Sequence, residues 1–196
     1  NNKKSKKIKL ISTCWSTNLN KGHKWYKYLD ETLDFSKYEM CFIGRSNFIF
    51  KNIKVYPPLN SHDISKHLQK SDIFIFCSKT EACSNSLLEA LHTQLPIVYA
   101  EGSSNNEIVK QNGISFKNHD IIEKINIISK KLDKYEFNFN NIYPDIEDVT
   151  NKYLLMFQKV KSSVSKKIYV PKKINLLTFL IILFNFILND LKDKYK

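Results

Sequence analysis

The sequence predicts an α/β protein: a doubly wound, mostly parallel sheet with helices appended at its C-terminal end. Three observations carry that expectation. Short apolar runs alternate with helical segments from residue 8 to residue 132, the pattern of repeated βαβ units. Two of those runs, 40–44 and 72–78, are almost continuously apolar, as strands buried on both faces of a parallel sheet are. Gly44, Pro57, Pro58, Pro96 and Gly113 punctuate the boundaries between runs.

The elements follow in order. Residues 8–12 make a short strand bounded by polar residues. Lys21 and Gly22 open a helix in which Trp25, Tyr28, Leu29 and Leu33 share one apolar face. The next strand, 40–44, ends in a tight turn at Gly44. A shorter one, 53–56, stops at Pro57 and Pro58, which cannot donate to a ladder. Ser61 reads as the N-cap of a helix carrying Ile64 and Leu68. Strand 72–78, helix 86–94, strand 96–100, a short helix 107–111, a turn at Gly113, strand 114–116 and helix 120–132 complete the series. Beyond it, Ile146, Val149, Tyr153, Met156 or Phe157, and Val160 form an amphipathic stripe, and 174–188 are nearly all apolar. The expected organisation is a sheet domain over 1–135, an appended helix over 136–165, and a basic then apolar helix over 166–196.

Composition narrows the function. A hydrophobic fraction of 42% and an aromatic fraction of 13% fit a globular chain rather than a disordered one. The net charge of +12 would suit nucleic acid, but it comes almost wholly from lysine, with Arg45 as the one arginine. No stripe interleaves arginine with aromatics, so no nucleic-acid partner is expected. Cys14, Cys41, Cys77 and Cys83 form no C-x-x-C pair and show no zinc spacing, which predicts reduced thiols and no metal site. His23 and His92 lack a spaced partner and are expected to be surface or packing residues. The chain opens on Asn1 instead of Met and shows no charged-then-apolar leader. The expectation is a piece of a longer, cytoplasmic protein.

A doubly wound sheet binds ligands at the carboxyl ends of its strands. The loops after Ser12, at Pro57–Pro58–Leu59 and after Ser78 are therefore the places to look. In the last of these, Glu81 and Glu89 flank a small polar stretch. Ser84 or Asn85 can cap a helix that begins near Ser86, with Glu89 about one turn inside it. A helix N-terminus offers unpaired N–H groups and a positive dipole end to a pyrophosphate. Glu89 can accept from the two hydroxyls of a ribose, and Glu81 can reach toward a sugar on the far phosphate. Spacing alone fits equally well a surface helix with an ordinary cap.

Residues 72–96 resemble the donor-site signature of retaining glycosyltransferases with the GT-B fold, the glycosyl transferases of group 1 or family-4-like type. That signature sets a strand, a carboxylate, a helix start, a second carboxylate eight residues on, and a strand led by proline. Here it runs SDIFIFCSKTEACSNSLLEALHTQLPIVYA. The resemblance spans roughly residues 8–135, the second, Rossmann-like domain of that fold, which binds the donor. It implies that Glu81 contacts the donor sugar, that the amides around Ser86 and Leu87 hold the phosphates, and that Glu89 holds the ribose. Lys21, in NLNKG, matches the family's K-G position, whose ammonium neutralises the leaving pyrophosphate. The loop holding Leu59 would meet the base through its backbone, and residues 102–109 match a loop near the sugar. No metal is implied.

The chain departs from the family at Ser16, where an arginine is usual, and at Ala82 and Ser84, where glycines are common. The expected activity is retaining, hexosyltransferase-type transfer from a nucleoside diphosphate sugar to a hydroxyl of a cell-surface glycan or glycolipid. It would need an acceptor domain this chain lacks, leaving the chain inactive alone. The alternatives are a non-catalytic nucleotide-sugar-binding or regulatory domain of the same ancestry, and an unrelated doubly wound signalling module. The latter would show an acidic cluster where Lys21 stands. Residues 174–188 are shorter than the ~20 apolar residues a membrane-spanning helix needs. A helix on an anionic membrane surface, at the inner face of the plasma membrane, competes with a helix packed on the missing domain and with a true span.

Overall fold

The computed structural model describes residues 7–132 and 146–163. The chain divides into two units, residues 1–142 and 143–196. Among the described residues the first holds one six-stranded sheet, all parallel, in the order β3-β2-β1-β4-β5-β6.

In chain order its elements are β1 (Ile8–Cys14), α1 (His23–Thr32), β2 (Tyr38–Gly44), β3 (Lys54–Tyr56), α2 (Ser61–Leu68), β4 (Ile73–Phe76), α3 (Asn85–His92), β5 (Ile97–Ala100), α4 (Asn105–Val109), β6 (Gly113–Phe116) and α5 (Ile121–Ser129). The doubly wound sheet expected from the sequence is present. The first two strands run longer than their apolar runs, because main-chain pairing continues from Ile8 with Tyr38 to Cys14 with Gly44.

Strand β4 shows why its sequence is uninterruptedly apolar. Ile73 and Ile75 join a core cluster with Trp25 and Leu29 of α1, Ile121 and Ile125 of α5, and Leu10 and Phe42 of the sheet. Phe74 and Phe76 alternate with them, point to the opposite face, and are buried too. Both faces of the strand are covered, so a polar residue has no place on it. On α1 the expected face is in place: Trp25, Leu29 and Leu33 are buried and Tyr28 packs against the cluster.

Two local features differ from expectation. Asn60, not Ser61, caps α2: its side chain accepts from the Asp63 amide at 3.0 Å, and Ser61 is the first helical residue. Both residue types cap well; burial of Ile64 and Leu68 fixes the choice. The helix expected at 107–111 begins at Asn105, whose buried side chain bonds the ends of β4 and β5.

The link from β2 to β3 has no helix. It is held by Asp30, a buried carboxylate at the end of α1 that accepts the amides of Lys51, Asn52 and Ile53 at 2.7 to 2.8 Å. Three backbone donors that a sheet or helix would otherwise satisfy are met by one side chain.

The second unit contributes α6 (Ile146–Ser163). The residues of its predicted stripe, Tyr153, Met156, Phe157 and Val160, are exposed. The apolar segment 174–188 and the rest of 166–196 lie outside the described residues. Among the described residues, no helix is long and apolar enough to cross a membrane.

Candidate functional site

Strand order reverses between β1 and β4, which are neighbours although α1, β2, β3 and α2 separate them in sequence. At such a switch point the loops from the two strand ends diverge and leave a crevice. A cleft of about 250 Å³ lies there, walled by Thr13, Lys21, Glu81, Ser84, Asn85 and Ser86 among others.

The β1 side is built by a short turn. The Asn18 side chain accepts from the Asn20 amide at 2.9 Å and starts a 3-10 turn over Leu19–Lys21. Gly22 closes it at φ 74°, and a Cβ there would collide with the Cys77 carbonyl. Only glycine allows both the left-handed conformation and this approach to the end of β4. The approach places the Lys21 ammonium against Glu81, to whose Oε1 it donates. Ser78 Oγ donates to the same oxygen at 2.8 Å. The Glu81 side chain is 16% exposed and that of Lys21 32%. The cation is therefore neutralised by the carboxylate.

The β4 side ends in α3. Ser84 takes the N-cap position with extended backbone, yet its side chain makes no capping bond, and the first turn holds no acidic residue. Its carbonyl accepts the amides of Leu87 and Leu88 at 3.1 and 3.2 Å. No side chain caps the helix N-terminus that faces the cleft, and it carries the positive end of the helix dipole.

Lys21, Glu81, Ser84, Asn85 and Ser86 thus meet in one cleft. Leu87 is fully buried and its amide is already engaged by the Ser84 carbonyl. Glu89 is not on the cleft wall. It is half-buried one turn deeper, on the same helical face as Asn85 and about 6 Å further along the axis. Burial pushes its carboxyl above the ordinary glutamate range. Leu59 lies in a separate depression with Tyr56, Asp63 and His67, because β3 is the edge strand, two places from β1.

Sequence reasoning placed Ser103 and Ser104 in the 102–109 loop matched near the sugar, and Ser78 at a strand end, but passed over the bonds by which these serines hold Glu81. Besides Ser78, the hydroxyls of Ser103 and Ser104 donate to the Glu81 carbonyl, the latter at 2.9 Å. The signal available was a run of small polar residues just past β5. It also passed over Thr13, whose buried hydroxyl has no hydrogen-bond partner.

His23 is a packing residue. It is fully buried between Tyr26 and Phe42, and its Nε2 donates to the Ser16 carbonyl at 2.7 Å. His92 is exposed in part and sits on the Leu88 carbonyl at 2.8 Å. All four cysteines are free, Cys14 and Cys77 buried and Cys83 exposed beside the cleft. Burial raises the Cys14 thiol and holds that of Cys41 up at about 11. Among the described residues no group of three or more His, Cys, Asp or Glu side chains is arranged to hold a metal ion.

Residues 45–138 match the family of glycosyl transferases group 1. No curated protein matches the sequence. Solved structures with a similar fold include the catalytic domain of starch synthase IV from Arabidopsis thaliana bound to ADP and acarbose. It shares 12% identity at a TM-score of 0.64, over 83% of this chain and 40% of that one. The pneumococcal O-GlcNAc transferase GtfA in complex with UDP and GlcNAc shares 16% at 0.57, over 82% of this chain and 36% of that one. WaaG, a glycosyltransferase involved in lipopolysaccharide biosynthesis, shares 19% at 0.51, over 68% and 40%. At these identities the likeness is one of fold. The chain spans 40% or less of the length of each. The resemblance to GT-B glycosyltransferases read from the sequence holds, and the Rossmann-like sheet is the part they share.

Proposed function

We propose that this chain is the donor-binding part of a glycosyltransferase, and that its cleft holds a nucleoside diphosphate sugar. The observation that supports the reading most is the pairing of Lys21 with Glu81 beside an uncapped helix N-terminus at the switch point of the sheet. The match of residues 45–138 to glycosyl transferases group 1 supports the same reading.

A diphosphate at the start of α3 takes hydrogen bonds from the amides of Asn85 and Ser86 and from the Ser84 and Ser86 hydroxyls. It draws the Lys21 ammonium away from Glu81, since two phosphate charges outweigh one carboxylate. Glu81 is then free to accept a hydroxyl of the sugar. Glu89, one turn deeper, accepts the ribose hydroxyls, and the backbone near Leu59 meets the base if the β3 loop closes over the nucleotide.

Transfer to an acceptor hydroxyl builds negative charge on the leaving diphosphate. Lys21 and the helix dipole stabilise that charge in place, so the reaction needs no metal. The sugar passes to the acceptor oxygen with retention of its anomeric configuration, as the family resemblance implies. The acceptor, a cell-surface glycan or glycolipid, enters from an N-terminal domain outside this chain, and the chain alone binds donor without appreciable transfer. The basic and apolar segment 166–196 brings the protein to an anionic membrane from the cytoplasmic side.

Calorimetric titration with UDP-, GDP- and ADP-linked sugars tests the reading. One of them binds, and Lys21→Ala weakens it; failure of all three to bind would sink the proposal. Ser16, standing where a second cation is usual, favours a second reading in which the domain binds donor without turning it over. Sugar transfer after an acceptor domain is supplied rejects that alternative. Sedimentation with anionic vesicles, with and without residues 172–196, tests the membrane assignment, and equal binding by both rejects it.

A further inference from the structure

Glu81 belongs to no helix or strand, yet it is the most heavily held residue of the cleft. Ser78 Oγ fixes its carboxylate. Its main-chain carbonyl accepts the hydroxyls of both Ser103 and Ser104, and the Ser104 amide lies 3.5 Å from the same oxygen. The next residue, Asn105, is fully buried and donates to the carbonyl of Ser78 at 2.8 Å and to that of Ala100 at 2.9 Å. The segment after β5 therefore grips the loop after β4 at two points, Ser78 and Glu81.

The grip is maintained against backbone preference. Ser103 stands at φ 50°, in the left-handed region that a residue with a Cβ adopts at a cost. Gly102 precedes it at φ 143°, where a Cβ would press on the Lys79 carbonyl. Such a conformation persists where surrounding bonds over-determine it, and here those bonds end on Glu81. Ser103, Ser104 and Asn105 do not themselves line the cleft, so any effect they have on a ligand passes through the loop they hold.

We propose that Ser103, Ser104 and Asn105 are positioning residues for Glu81, and that they set how strongly the site prefers a nucleoside diphosphate sugar to the bare nucleoside diphosphate. This rests on the donor-site reading above. It adds that sugar recognition is governed from the β5 turn, by residues that act through the Glu81 loop and do not themselves line the cleft.

The test compares dissociation constants of the 196-residue chain for UDP and UDP-glucose, ADP and ADP-glucose, and GDP and GDP-mannose. In Ser103→Ala/Ser104→Ala, the preference for the sugar-linked member falls by about five-fold, the worth of roughly one neutral hydrogen bond. Affinity for the bare diphosphate changes by less than about two-fold, as expected when the α3 terminus and Lys21 are untouched. Ser104→Thr keeps the hydroxyl and keeps the preference. An equal loss for both ligands, as a merely structural role would give, overturns the inference, and so does an unchanged preference. If the parent chain binds the diphosphates but gains nothing from the sugar, the inference fails while the diphosphate site stands. If it binds no nucleotide at all, the donor reading itself is wrong.

Discussion

The Lys21 ammonium and the Glu81 carboxylate, 60 residues apart in sequence, are bonded to each other across the mouth of the cleft. Each is the group that a donor would need free. The pair holds the cation and the carboxylate in mutual neutralisation, and under the proposed donor reading a diphosphate sugar would separate them by offering each a better partner.

The two partners should therefore respond with opposite signs. Glu81→Gln releases the ammonium, and affinity for a bare nucleoside diphosphate rises by up to about five-fold, the scale of a partly exposed ion pair. The gain from the attached sugar disappears in the same variant. Lys21→Ala weakens the diphosphate by about ten-fold or more, since it removes a charge-assisted bond. Calorimetry on the two variants checks both signs; a loss of diphosphate affinity in Glu81→Gln would contradict the pairing.

Ser16 lines the cleft, and its carbonyl is already anchored by His23. Ser16→Arg should add a second cation facing the diphosphate without disturbing that anchor. We expect about ten-fold tighter binding of UDP or ADP at low salt, with a steeper fall as salt is raised. Isothermal titrations at two ionic strengths measure it.

Glu89 gives a pH signature. Burial raises its carboxyl above the ordinary glutamate value, so the folded chain holds this proton more tightly than the unfolded one. The group contributes stability that is fully present below the ordinary value and is lost as pH rises through the raised one. Glu89→Gln should accordingly raise Tm at neutral pH and leave it unchanged in acid. In the parent protein, nucleotide binding should weaken on acidification at a pH above the ordinary glutamate range, because a protonated carboxyl accepts ribose hydroxyls poorly. In Glu89→Gln that dependence should vanish along with part of the affinity. Nucleotide binding unaffected by Glu89→Ala would end the ribose assignment.

Asp30 tests the fold rather than the site. Asp30→Ala strands the amides of Lys51, Asn52 and Ile53, at a cost of about 3 kcal/mol or more for bonds to a charged acceptor. Urea unfolding should show the loss, while nucleotide affinity stays as it was, because neither Asp30 nor the three residues it holds line the cleft.

What was legible in the sequence is what depends on near neighbours. Alternating strands and helices, the apolar face of α1 and the doubly covered β4 follow from periodicities of a few residues. So does the local string from Thr80 to Glu89, in which a carboxylate, a helix start and a second carboxylate fall in order. For Lys21 and Gly22 local pattern reaches only to a helix start and a match to the family's K-G position; the 3-10 turn over Leu19–Lys21 and the approach of Gly22 to Cys77 are tertiary.

Tertiary structure alone decided which of these pieces face each other. The order β3-β2-β1-β4 brings Lys21 to Glu81 and leaves Leu59 in a depression of its own. Helical geometry sets Glu89 one turn behind the cleft. Ser103 and Ser104 reach the Glu81 carbonyl only because β5 lies beside β4. A hydroxyl's choice of acceptor across twenty or more residues leaves no trace in local composition, since any serine in a turn reads alike until the strands that carry it are paired.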